Sequence, residues 1–167
     1  MIIRPITSDD IDDIDAVVTL ENSVWNETNT PAPLPVANPD KITRNLQIGT
    51  QMLVAEHEGQ LVGVLDYQPR YPFASGSHVV TFGIAVKDGM RGLGVGRQLM
   101  AQFLTNAKDE GYKKVVLNVL GSNPKAIAFY EKLGFVQEAC LKNEFYLDGR
   151  YVDGLNYSLT LEDANAK

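Results

Sequence analysis

The chain has 167 residues, enough for one domain (residues 1–167) whose core holds without cross-links and too few for a multidomain enzyme. Its composition, 44% hydrophobic and 22% charged with 14 glycines and 8 prolines, is that of a packed globular protein rather than a disordered or fibrous one. One cysteine, two histidines and a net charge of −6 exclude an internal disulfide, argue against a cysteine-rich or three-histidine metal centre, and argue against general nucleic-acid binding.

The opening residues, MIIRPITSDD, reach charge and proline too soon for a secretory signal, and no uncharged apolar run approaches the ~18 residues of a membrane span. A cytoplasmic protein without a membrane partner is expected. Residues 2–6 read as a short strand. Ser8 and Asp9 offer N-caps to a helix in which Ile11, Ile14, Val17 and Val18 recur at helical spacing, and the aspartates in its first turns complement the helix dipole. Residues 29–40 hold four prolines and predict a stiff loop, followed by a short helix over 41–48.

Residues 52–57 and 61–67 flank Glu58-Gly59-Gln60 and predict a hairpin. A loop over 68–77 leads to a strand at 78–86, apolar enough for a central strand covered on both faces. The stripe Val95, Leu99 and Phe103 predicts a helix over 94–110 that stops at Gly111, and a strand follows at 113–120. Asn123 and Pro124 form an N-cap and N1 pair for a helix burying Ala126, Ile127, Tyr130 and Leu133, with Gly134 as its C-terminal stop. Asp148-Gly149 predicts a hairpin between 145–147 and 150–152, and Leu155, Tyr157, Leu159 and Leu161 alternate as a strand. The fold class expected is α/β, a mixed sheet of about seven strands with four helices on its faces.

Charge is unevenly spread: residues 1–40 hold one basic and eight acidic residues, whereas 87–114 hold six basic and three acidic. The basic stretch contains KDGMRGLGVGR, between an apolar strand and a helix start. Glycines at 92, 94 and 96 let the backbone approach a ligand, and the unpaired amides of the helix start, with Arg91 and Arg97 beside them, suit a phosphate or pyrophosphate. A dinucleotide fingerprint would need glycine where Arg97 stands. A nucleoside-triphosphate loop would need Lys and Ser or Thr directly after its last glycine.

The segment RGLGVG, followed about thirty residues later by NPKAIAFYEKLGF, resembles the GCN5-related N-acetyltransferases. That resemblance implies acetyl-CoA as cofactor, with its pyrophosphate at Arg91, Gly92, Gly94, Gly96 and Arg97, its pantetheine arm along the backbone near Ile84 and Val86, and Asn123 beside the arm. Within the superfamily, SHVVTFGIAV and FYLDGRYVD are similar to the branch that acetylates amino acids and related small amines.

Amide formation from a thioester needs a neutral amine, yet an alkyl amine of pKa ~10 is almost wholly protonated at pH 7. A proton acceptor, an oxyanion stabiliser and a proton donor for the departing thiolate are therefore required. The resemblance implies that Tyr130 is the donor, although its place on an apolar stripe also suits a plain core residue. Val80 and Phe82 stand where some branches carry a basic side chain, so no base is evident there. His78 begins the same strand and is a candidate base through a water relay, or else a structural strand-end residue.

Asp66, Glu144, Asp148 and Asp153 could each face an ammonium group, Asp148 having a turn role as well. Trp25 and Tyr71 could roof an acceptor site or anchor a loop, and Arg70 could meet a substrate carboxylate. Cys140 has no histidine nearby in sequence, which disfavours an acetyl-cysteine route. The expected activity is direct acetyl transfer to a small-molecule amine. A non-catalytic acyl-CoA sensor, an acetyltransferase of protein or peptide amines, and a phosphate-binding structural domain are the alternatives. A homodimer through sheet edges is also expected.

Overall fold

A computed structural model describes residues 1–162 apart from Arg91. Seven strands, β1 (Ile2–Ile6), β2 (Gln51–His57), β3 (Gln60–Pro69), β4 (Val79–Val86), β5 (Lys114–Leu120), β6 (Val136–Leu147) and β7 (Arg150–Thr160), form one sheet ordered β1-β2-β3-β4-β5-β7-β6. Four helices cover it: α1 (Ile11–Val24), α2 (Pro39–Gln47), α3 (Val95–Asp109) and α4 (Pro124–Lys132). The mixed sheet and four helices follow the expected fold class, and no described helix is long and apolar enough to cross a membrane.

Two clusters of buried side chains lie on opposite faces of the sheet. On one, Leu65, Tyr67, Val80 and Val115 pack beneath Leu99, Met100 and Phe103 of α3. The Tyr67 hydroxyl, at the margin of that core, donates to Gln51 Oε1 at 2.9 Å and Glu110 Oε1 at 3.1 Å. Gly63 lets α3 come close, since a Cβ there would lie 2.7 Å from Val95. On the other face, Ile14, Val17 and Leu20 of α1 and Ile42 of α2 cover Met52, Val54, Val64 and Ala85. Arg4 ties β1 to α1 and β2, holding Asp13 at 2.7 Å and Glu56 at 3.1 Å, and the Arg4 guanidinium keeps the Asp13 carboxyl below its ordinary range.

Adjacent strands are antiparallel except β4 and β5, which run parallel and pair over only Val79↔Lys114, Val80↔Val115 and Thr81↔Val116. Beyond Thr81 the two diverge, and the rest of β4 keeps its ladder with β3 alone. The expectation that β4 is covered on both faces fails over this half. Gly83 is exposed and Phe82, Ile84 and Val86 are only half-buried, because the strand borders an opening.

Four boundaries differ from the sequence reading. Asp10, rather than Ser8 or Asp9, flanks α1 and accepts from the Thr7 amide at 2.7 Å. The proline-rich loop ends earlier than expected because Asn38 caps α2, its Oδ1 accepting from the Lys41 amide at 2.9 Å with Pro39 at N1. The last hairpin is longer than predicted: β7 runs unbroken through both segments assigned to separate strands. β6 starts at Val136, its pattern masked by register shifts at Gln137/Ala139 and Leu141/Phe145.

Candidate active site

The opening between β4 and β5 ends against the start of α3. Gly92 and Gly94 have φ of 85° and 71°, a left-handed backbone that only glycine adopts cheaply, and together they turn the chain from the strand into the helix. The first helical bond runs from the Gln98 amide to the Gly94 carbonyl at 3.0 Å. As the first residues of α3, 95–97 direct their amides out of the helix end, which suits an anion. Arg97 is exposed on the first turn. Arg91 lies outside the described residues. Gly96 has a packing reason of its own, since a Cβ there would meet the Phe129 ring of α4 at 3.3 Å.

Ile84 and Val86 lie on the diverged half of β4, paired with Leu65 and Gly63 of β3. Asn123 caps α4, accepting from the Ala126 amide at 3.2 Å, and so sits where β5 hands over to that helix. Tyr130 projects from α4 into an aromatic group, with ring centroids 5.9 Å from Phe82, 5.4 Å from Phe129 and 5.8 Å from Phe135. Burial pushes its hydroxyl up to about 12, so it stays protonated at neutral pH and can only give a proton.

The other face of the same strand segment carries the acid. Alternation along β4 turns Thr81, Gly83 and Ala85 towards α1 and α2, opposite to Phe82. Asp66 of β3 stands beside Gly83 in register, and a Cβ at position 83 would lie 3.2 Å from Asp66 Oδ1. Glycine at 83 thus leaves Asp66 Oδ1 without a side-chain contact from that position. Asp66 is enclosed deeply enough that burial, reinforced by the Glu21 charge and opposed by Lys41, pushes its carboxyl up to about 7. Glu21 is also raised by burial, although the Trp25 indole N–H donates to its Oε2 at 2.6 Å. Trp25, expected to roof the site, therefore closes α1 and orients Glu21.

The remaining candidates are dispersed. His78 is exposed and precedes the paired segment of β4, three residues or ~10 Å of strand from Thr81. Its carbonyl accepts from the Lys113 and Lys114 amides, which fixes the strand end. Arg70 and Tyr71 occupy the β3–β4 loop. The guanidinium carbon lies 5.9 Å from the Tyr71 ring centroid, and Tyr71 stacks on Phe73 at 5.2 Å while packing against Gly76. Asp153 is held by the Asn143 amide at 2.9 Å and Lys142 at 3.4 Å, Asp148 occupies the β6–β7 turn, and Glu144 is exposed on β6. Cys140 is exposed on β6, its nearest polar contact being Asp153 at 3.7 Å. Asp66 was visible in the sequence only as one acid among several; its depth comes from α1 and α2 folding over it.

The Acetyltransferase (GNAT) family pattern matches residues 14–135. The chain is similar to smu.2055 of Streptococcus mutans UA159, whose crystal structure superposes with a TM-score of 0.91 at 50% identity over 97% of this chain and 100% of that one. It is 26% identical to an L-methionine sulfoximine/L-methionine sulfone acetyltransferase of Pseudomonas aeruginosa over 84% of this chain and 80% of the relative. A ribosomal-protein-alanine N-acetyltransferase from Brucella melitensis superposes with a TM-score of 0.79 at 27% identity, over 96% of this chain and 100% of that one.

Proposed function

This chain belongs to the acetyltransferase (GNAT) family and is an acetyl-CoA-dependent N-acetyltransferase, and we propose that its acceptor is the primary amine of a small molecule, an amino acid or a close relative. The observation that carries the reading is the divergence of β4 from β5 after Thr81, with the N-terminus of α3 following β4 through the glycine turn. The residues fit the donor. Amides of residues 95–97, the turn at Gly92, Gly94 and Gly96, and Arg97 would hold the pyrophosphate, while the unladdered backbone at Ile84 and Val86 would pair with the pantetheine arm as a short strand. Asn123, its Oδ1 occupied by capping, keeps its amide N–H groups for that arm. Acetyl-CoA supplies an acyl carbon activated by its thioester.

Tyr130 lies on the α4 side of β4 and hands its proton to the departing sulfur, a role its raised hydroxyl suits. The acceptor enters from the α1 and α2 face, where Trp25 and the loop bearing Arg70 and Tyr71 border the approach. Arg70 is the group for an acceptor carboxylate, which favours amino acids. His78 is then a residue of the rim. The acidic chain as a whole favours cationic acceptors, and a homodimer across the exposed edge of β6, in the cytoplasm, belongs to the same reading.

Incubation with acetyl-CoA and a panel of amino acids, methionine sulfoximine, polyamines and short peptides, following free thiol, tests this. Acceptor-dependent CoA release with amino acids is expected. Release with peptides alone would transfer the reading to protein amines, which the ribosomal-protein-alanine similarity favours as the second choice. Acetyl-CoA binding with no release for any amine would make the protein a sensor.

A further inference from the structure

The proposed transfer lacks one participant, since neither Val80 nor Phe82 can accept a proton and His78 lies away from the point where β4 and β5 part. We propose that Asp66, standing beside Gly83 on the acceptor face of the sheet, is the proton acceptor for the incoming amine, with Glu21 of α1 tuning it and helping to hold the ammonium. This rests on the acetyltransferase reading above and deepens it by naming a catalytic residue on β3.

Four observations carry the assignment. Thr81 is the last β4 residue paired with β5, and Gly83 is two residues further, so Asp66 lies ~7 Å along the strand and one strand spacing, ~5 Å, across from the apex of the opening. Position 83 has no side chain, and any Cβ there would press on Asp66 Oδ1 at 3.2 Å; the glycine leaves that oxygen without a side-chain contact from this position. Asp66 faces α1 and α2 while Tyr130 reaches β4 from the opposite face, which separates the group that takes a proton from the group that gives one. Asp66 has no ion pair among the described residues, although Arg4 and Lys114 elsewhere in the sheet are paired with acids. A largely enclosed carboxylate with no cation in ion-pair contact among the described residues, Lys41 acting on it only through its field, is costly, and an ammonium substrate would relieve it.

The charged groups facing Asp66 are Glu21 from α1 and Lys41 from α2, with Trp25 donating to Glu21. Two carboxylates in one enclosure attract a primary ammonium more strongly than either alone, and the Glu21 charge makes Asp66 a better base. In the transfer Asp66 takes one proton from the ammonium. The freed lone pair forms the carbon–nitrogen bond as the carbon–sulfur bond breaks. Tyr130 gives its proton to the departing sulfur, while Asp66, having passed the first proton to water, takes the second from nitrogen and releases it in turn; Tyr130 is reprotonated from water, so one proton is released net per transfer.

The test measures kcat/KM from pH 5.5 to 9.5 for wild type, Asp66→Asn and Glu21→Gln with the best acceptor from the panel, and acetyl-CoA affinity by calorimetry. Wild type should rise with pH through a limb near 7. Asp66→Asn should lose roughly 10²- to 10⁴-fold at pH 7, regain about tenfold per pH unit as free amine accumulates, and bind acetyl-CoA unchanged. Glu21→Gln should move the wild-type limb to lower pH. A merely structural Asp66 would give a loss that is flat with pH. That result, an Asp66→Asn rate within threefold of wild type at pH 7, or a limb unmoved by Glu21→Gln, overturns the assignment while the acetyltransferase reading stands. A wild-type protein silent towards every amine overturns both.

Discussion

Replacing Asp66 with asparagine should make the protein more stable at alkaline pH. In the fold the carboxyl titrates near 7, against an ordinary value of 3.8, because burial and the Glu21 charge oppose ionisation. A raised acid destabilises the fold where it is ionised. The penalty is absent below 3.8, grows as pH rises towards 7 and is constant above. At about 1.4 kcal/mol for each pH unit the full penalty is about 4 kcal/mol. Asparagine removes the charge but keeps a polar group in the enclosure, so roughly half, about 2 kcal/mol, should be recovered.

For a chain of this length that corresponds to a melting temperature raised by roughly 4–8 °C at pH 8.5, shrinking to near zero at pH 4. Urea denaturation of both proteins at pH 4, 6 and 8.5 measures it directly. A difference that fails to widen with pH, or an asparagine variant less stable at pH 8.5, would refute the account of a strained carboxylate. Gain of stability with loss of turnover is the pattern expected where an active site is held against the preference of the fold.

Tyr130→Phe should lower kcat by about 10²-fold or more while calorimetry finds acetyl-CoA affinity within twofold, since the ring packing is kept and only the proton is lost. With the hydroxyl raised to about 12, wild type should show no decline between pH 7.5 and 9.5 traceable to this residue, because deprotonation begins only near the upper value. Gly83→Ala should leave the melting temperature within a few degrees yet raise KM for the amine, its Cβ crowding Asp66 Oδ1; unchanged KM would separate position 83 from the acceptor. Phe103→Ala, which empties a fully buried position touching Tyr67 and Phe82, should cost ~3–5 kcal/mol by urea denaturation.

Local sequence signals located the turn and helix ends proposed to hold the cofactor. Gly92, Gly94, Asn123 and Pro124 are punctuation whose conformational meaning survives in any context, and Val95, Leu99 and Phe103 keep helical spacing along a face that is in fact buried. The acceptor side was harder to read for a physical reason. Asp66 acquires its character first from burial and then from Glu21 and Lys41, which are 45 and 25 positions away, and nothing in VGVLDYQ distinguishes an enclosed carboxylate from a solvated one. The part of β6 before residue 145 escaped notice because an edge strand that is mostly exposed on both faces need not alternate, and its register shifts break such alternation as remains. Asn38-Pro39 carried the same helix-start signal as Asn123-Pro124, but three further prolines just before it hid the boundary.

The parting of β4 from β5 also bears on how long the protein lasts. Three register pairs are the whole ladder joining the β1–β4 half of the sheet to the β5–β7 half among the described residues. Local opening should begin along that seam, where the backbone groups of β4 that face away from β3 beyond Thr81 have no strand partner among the described residues. A donor bound in the seam, as proposed, would act as a strut as well as a reagent. At a hundredfold excess over its dissociation constant it adds about 2.7 kcal/mol to the folded state. Proteolysis of the transiently opened sheet would then slow by about a hundredfold. On the proposed site, the supply of acetyl-CoA would thereby set not only how fast the enzyme turns over but how many copies of it persist.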